Sequence, residues 1–191
     1  MAMRLLLLLV GIISWASATP IIEGDSNEVF ASCTNPSGNR VNFNDIYDLR
    51  QQILDSHNYY RCLHGVPSLT LDDTLNTYAQ SVANDNAAKG KLEHSGGQYG
   101  ENLYASYGKR ITGKLPTKSW YDEIQYYDFN NPGFSKETGH FTQVVWMDSN
   151  KLGCGYKQDS AQQWEYIACS YDPPGNYNGA RNYKKNVPEP V

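Results

Sequence analysis

The sequence predicts an α+β domain in which helices cover a β-sheet. Three observations carry this. Two stretches, 42–63 and 70–90, repeat apolar residues at spacings of mostly three and four, the period of an amphipathic helix. Three runs in the last third, Gln143–Trp146, Lys151–Lys157 and Trp164–Tyr171, read as strands bounded by turn residues. Four cysteines, Cys33, Cys62, Cys154 and Cys169, suit two disulfides in a secreted domain.

The first residues set the compartment. One positive charge in Met1-Ala-Met-Arg4 is followed by the apolar run Leu5–Ile13 and the small residues Ala16-Ser17-Ala18. This is the three-part pattern of a secretory signal peptide, here residues 1–18, with an extracellular product starting near Thr19. The run is too short for a bilayer core of about 30 Å, and no later stretch reaches spanning length, so no transmembrane segment is expected. The formal net charge is −4 and basic residues form no cluster, which argues against nucleic acid as a partner. Aromatics make up 13%, with 15 tyrosines, a composition that suits polar-tipped aromatic packing.

Residues 19–41 are polar and broken by Gly24, Pro36 and Gly38, and read as an N-terminal arm tied down at Cys33. The first helix follows, with Phe43, Ile46, Leu49, Ile53, Leu54, His57 and Tyr60 on one face and Asn42 or Asn44 as its cap. It ends near Leu63, ahead of Gly65 and Pro67. Thr70 and Asp73 have the spacing of a capping box for a second helix, whose face is Leu71, Leu75, Tyr78, Ala79, Val82 and Ala83 and whose stop is Gly90. A loop through His94 leads to a short strand over 100–104. Pro116 opens a third helix with Trp120, Ile124 and Tyr127 on one side and Glu123 beside them. Asn131-Pro132-Gly133 forces a turn. The last two β-type runs form a hairpin; Cys154 and Cys169 face each other across it and are paired, leaving Cys33 for Cys62. Asp172-Pro-Pro-Gly-Asn176 stops the sheet, and the tail beyond Tyr177 carries no helix or strand signal.

Four residues from four separate elements could do chemistry together: His94, Glu101, Glu123 and His140. Two imidazoles and two carboxylates suit a divalent cation, and they suit equally a metal-free histidine–glutamate hydrogen-bond network. Their spacing matches no compact ligand motif. Nucleophilic catalysis has little support: there is no Gly-x-Ser-x-Gly elbow, and the cysteines are committed to bridges. Ser95 is adjacent in sequence to His94, an arrangement that seldom presents hydroxyl to imidazole. Tyr127, Phe129 and Phe134 surround the Pro-Gly turn, either as anchors folded onto the core or as an apolar patch for a lipid or partner.

Gly139-His-Phe-Thr-Gln-Val-Val-Trp146 and Tyr166-Ile-Ala-Cys-Ser-Tyr-Asp-Pro-Pro-Gly-Asn-Tyr177, together with His57-Asn-x-x-Arg61 and Gly100-Glu-Asn-Leu103, resemble the four signature motifs of the CAP superfamily. Its members include cysteine-rich secretory proteins, antigen 5 allergens and plant pathogenesis-related class 1 proteins, and the likeness extends to the secreted yeast-type and parasite venom-allergen-like branches. The resemblance covers roughly 43–178 and implies a domain over 42–178 followed by a tail, 179–191. It implies a three-layer α-β-α sandwich with a central cleft holding His94, Glu101, Glu123 and His140, where family members bind zinc or magnesium. It further implies sterol binding at Tyr127, Phe129 and Phe134, whose spacing is that of a caveolin-binding-like loop, with fatty acid between two helices as another mode. The implied function is that of a secreted lipid-binding protein. The alternatives are a metal-dependent hydrolase or protease using the cleft, and a receptor-binding immune modulator whose partner is a host or cell-surface protein. Two departures stand out: four cysteines cannot furnish the ten-cysteine domain of the channel-blocking members, nor the third disulfide of the plant branch.

Overall fold

Glycines on one strand explain how the layers come together. In the computed structural model, which describes residues 33–36, 45–159 and 163–191, strand β3 (Lys151–Asp159) pairs antiparallel with β4 (Trp164–Asp172), setting Cys154 opposite Cys169. β4 pairs on its other side with β2 (Gly100–Tyr107), again antiparallel, with Glu101 opposite Ser170. The two-residue β1 (Thr70–Leu71) runs parallel to the start of β3, so the sheet order is β1-β3-β4-β2.

Helix α1 (Ile46–Leu63) contributes Leu49, Ile53 and Tyr60 to the larger core, where they meet Leu152, Cys154, Ile167, Cys169 and Tyr171 of the sheet. Helix α2 (Asp73–Lys89) packs on β3 and β4, with Val82 and Ala83 joining Leu103 and Ala168 in a second, smaller cluster. Residues alternate along β3: Leu152 and Cys154 belong to the α1 core, while Gly153 and Gly155 lie against α2. A Cβ on Gly155 would stand 2.3 Å from the Gln80 Cα, so the absence of side chains lets the α2 backbone settle on the strand. The alternation produces the α-β-α layering that the family resemblance implies.

Several local expectations change. Asn42 and Asn44 lie outside the described residues; Asp45 caps α1, accepting from the Tyr47 N–H. α2 is capped by Asp72, which accepts from the Leu75 N–H, because Thr70 is drawn into β1; Gly90 closes the helix in the left-handed region at φ 63°. The run Gln143–Trp146 is not a strand. It ends the short helix α4 (Gly139–Val144), and Val144, Val145 and Trp146 are fully buried. A short apolar run looks the same in either state, and here the Arg61 guanidinium donates to the Val144 and Trp146 carbonyls, using them as a helix end would. The third helix, α3 (Lys114–Tyr121), tightens into a 3₁₀ turn, Asp122–Tyr126, that carries Glu123.

The polar tail also folds. Helix α5 (Ala180–Asn186) buries Tyr183 edge-on against Trp146, with ring centres 5.1 Å apart, and the Val191 N–H donates to the Leu63 carbonyl. Two apolar anchors, Tyr183 and Val187, are too few to give a periodic signal in sequence. Disulfides join Cys33 to Cys62 and Cys154 to Cys169. Residues 1–32, covering the expected signal peptide and most of the arm, lie outside the described residues. Among the described residues no helix is long and apolar enough to cross a membrane.

Candidate functional site

Two histidine–glutamate pairs sit at one cleft. His94 lies in the loop after α2, and its Nδ1 donates to Glu101 Oε1, the second residue of β2, at 2.7 Å. His140, second residue of α4, donates from Nδ1 to Glu123 Oε1 at 2.6 Å. Each carboxylate accepts twice more. Glu101 takes the Ser95 N–H and the Ser95 hydroxyl at 3.0 and 2.6 Å. Glu123 takes the backbone N–H groups of His140 and Phe141 at 3.0 and 3.1 Å, anchoring the first turn of α4. The Nε2 atoms of His94 and His140 have no hydrogen-bond partner among the described residues.

Exposure separates the pairs. The His94 side chain is 64% exposed over a Glu101 that is only 7% exposed, while His140 is 33% exposed. The bond from Glu101 raises the His94 imidazole above its ordinary value, against the opposing effect of burial. For Glu101 burial alone would raise the carboxyl; the bonds from His94 and Ser95 outweigh it and hold the group below the usual carboxylate range.

The cleft encloses about 480 Å³ and is lined by His94, Glu101, Phe134, Lys136, His140 and Asn176, among others. Three of the four sequence-predicted residues therefore line one cavity. Glu123 stands behind His140 and does not line it. Among the described residues, no three histidine, cysteine, aspartate or glutamate side chains converge closely enough to hold a metal ion together.

A buried polar chain supports the cleft from below. His57 Nδ1 donates to the Ile53 carbonyl and its Nε2 accepts from the Tyr171 hydroxyl, both at 2.8 Å. The Tyr171 oxygen accepts from Asn102 Nδ2 at 3.1 Å, and the same amide donates to the His140 carbonyl at 3.1 Å. The Trp120 ring lies parallel to the His140 ring at 6.4 Å and donates its own N–H to the Leu103 carbonyl. Asn102, Lys136 and Asn176 do not stand out as site residues in the sequence, and Ser95 does so only as a nucleophile candidate beside His94. Asn102 and Ser95 are the sequence neighbours of Glu101 and His94, which was the available signal.

The aromatic loop divides. Tyr127 and Phe129 meet at 4.9 Å and both rest on the buried Phe141, at 5.4 and 6.3 Å. Phe134 makes no ring contact among the described residues; it is 56% exposed and lines the cleft. Gly139 makes room for it, since a Cβ there would come within 3.2 Å of the Phe134 ring. Nothing crowds the turn glycine Gly133.

Residues 54–171 match the family model for CAP, the cysteine-rich secretory protein family. Protein PRY2 of Saccharomyces cerevisiae is 47% identical over 69% of the chain and 39% of its own length. Secreted protein RBT4 of Candida albicans is 43% identical over 87% of the chain and 48% of its own length, so the chain spans less than half of either yeast relative. Pathogenesis-related protein 1A of Nicotiana tabacum is 43% identical over 70% of the chain and 80% of its own length. Among solved structures, BmVAL-1 superposes with a TM-score of 0.61 at 22% identity, covering 78% of this chain and 85% of that one. NaASP2 with Zn²⁺ does so with a TM-score of 0.59 at 22% identity, covering 80% and 91%. These last two likenesses show the fold.

Proposed function

The chain belongs to the CAP, or cysteine-rich secretory protein, family, and from that premise we propose that it is a secreted lipid-binding protein that takes sterol at the loop bearing Tyr127, Phe129 and Phe134. One observation carries the reading. Two aromatics of the loop are fixed on the core while the third, Phe134, offers most of its ring to solvent at the mouth of the cleft. An exposed aromatic on an uncrowded Pro-Gly turn suits a flat apolar ligand, which covers the ring and removes it from water. Secretion rests on the leader-like first residues and on a relative named as secreted.

Saturable binding of labelled cholesterol by the purified protein tests this, with Phe134→Ala alongside. Loss of the exposed ring should weaken binding about tenfold, as expected when about 1.4 kcal/mol of apolar contact is removed. Thermal stability should barely change, because the ring supports little of the core. Equal binding by both proteins would overturn the loop assignment.

A second reading concerns the same cleft. Each imidazole is oriented through Nδ1 by a carboxylate and keeps Nε2 without a partner, which is how a ligating histidine is commonly prepared. A divalent cation such as zinc or magnesium would have His94 and His140 as its protein ligands, with Glu101 and Glu123 orienting the rings; since no three such side chains converge among the described residues, the protein would supply two ligands only. Such an ion, when bound, would supply a polarised water. A hydrolase would in addition need a free base, and both carboxylates already accept three bonds each. Lipid carriage is accordingly placed first. Chelator-sensitive cleavage of a peptide library would reverse that order.

A further inference from the structure

The charge balance of the cleft has a direction that the His–Glu pairs alone do not reveal. Both carboxylates are consumed internally, each by three donors. The amides of the lining are satisfied too: Asn176 Nδ2 donates to the Gly139 carbonyl and its Oδ1 accepts from Thr142, while Asn102 is committed to His140 and Tyr171. Glu101 keeps its negative charge but is only 7% exposed and spends its lone pairs on three donors, so the unpartnered formal charge on the lining is that of Lys136, which has no ion-pair or hydrogen-bond partner among the described residues. It stands two residues after Phe134 in the same cavity wall. In a chain of net charge −4, this pocket presents a cation beside an apolar ring.

We infer that the cleft selects anionic amphiphiles: an apolar body against Phe134 and a single anionic head, carboxylate or sulfate, on Lys136. The inference rests on the lipid-binding reading above and adds a head-group preference to it. The cavity, about 480 Å³, lies within the roughly 300–1,000 Å³ range of small-molecule sites. A lysine acts as a point charge with rotatable donors, so it tolerates different head geometries, and the charge-assisted bond adds to the apolar contact. Because Lys136 is exposed, the preference is modest and sensitive to salt.

Matched pairs test this. Affinities of the purified full chain, treated with chelator, are measured for cholesterol against cholesteryl sulfate and for hexadecanol against hexadecanoate. Wild type should favour the anionic member of at least one pair by about fivefold, and which pair shows it identifies the apolar body. Raising the salt concentration from about 0.05 to about 0.5 M should shrink the preference. Lys136→Gln should abolish it, and Lys136→Arg should restore it. Equal affinity within both pairs, or a preference that survives Lys136→Gln, overturns the inference while the lipid reading stands. No binding of any of the four lipids overturns both.

Discussion

Acidification should destabilise this protein well above the range where carboxylates titrate, and His57 is the reason. The ring is fully buried between α1 and β4. Burial pushes its pKa down from 6.5 to about 4; the bond to the Ile53 carbonyl opposes this and the nearby Arg61 charge adds to it. Protonation would put a second N–H against the Tyr171 hydroxyl, which now donates to Nε2, and would place a charge in the core. In the unfolded chain the same ring titrates near its ordinary value. Between about pH 6.5 and pH 4 the unfolded state therefore binds more protons than the folded one, so stability falls as pH falls. The full gap corresponds to about 3 kcal/mol, and about 2 kcal/mol of it should be lost between pH 7 and pH 5.

Neighbouring groups modify but do not reverse this. His64 is likewise lowered, by burial against the opposing bond to the Pro188 carbonyl, and acts in the same direction. His94 is raised, so its contribution is present at low pH and fades as pH rises through its folded value; its exposure to solvent screens that effect. Glu101 is held low and loses its contribution only as pH falls below the ordinary carboxylate range. Urea unfolding at pH 7, 6 and 5 reads the sum, and His57→Gln, which cannot titrate, should remove most of the slope whatever it costs at pH 7. Imidazole NMR supplies an independent measure, with the His57 ring staying neutral at pH 5. A flat stability between pH 7 and pH 5, or a His57 signal titrating near 6.5, would refute the reasoning.

Three further substitutions test the packing. Gly155→Ala should destabilise by about 2 kcal/mol or more in urea, since the new methyl meets the backbone of Gln80 and Ala79 and not a movable side-chain end; Gly133→Ala, in open space, should change little. Arg61→Met should cost at least about 3 kcal/mol by the same assay, because the buried guanidinium donates to the carbonyls of Pro67, Val144, Trp146 and Ser149 and its loss leaves them unsatisfied. An Arg61→Met protein as stable as wild type would show that water can replace the guanidinium.

An element is legible in the sequence in proportion to its length. α1 and α2, with 18 and 17 residues, repeat their apolar face over several turns and were legible as helices. α4 has six residues and α5 seven, too short for a period to declare itself, so Gln143–Trp146, at the end of α4, reads as strand and the region of α5 as irregular tail. The site shows the same divide between local and long-range information. His94, Glu101, Glu123 and His140 were picked out by residue type, but their pairing depends on packing between separate elements that no local spacing encodes. Four motifs in order supplied what spacing could not. Lys136 gave no signal at all, because a charged residue near a turn ordinarily points to water.

The two imidazoles of the cleft are not equivalent, and the difference lies in what holds them. His140 is fixed from three directions: Glu123 on its ring and backbone N–H, Asn102 on its carbonyl, and the Trp120 ring alongside. Asn102 shares its amide with Tyr171, which is itself locked to His57, so the His140 side is continuous with the buried core. His94 has only Glu101, and it rides on a loop that includes Gly96 at φ 66° with open space around it. Anything entering the cleft thus meets one wall continuous with the buried core and one carried on a loop that the His94 ring, the Ser95 N–H and the Ser95 hydroxyl pin to Glu101. The His140 side is thereby the fixed reference of the cleft, its ring one-third exposed, while His94 presents a ring 64% exposed from the surface loop, so a substitution of Asn102 or Trp120 should disturb His140 and leave His94 in place.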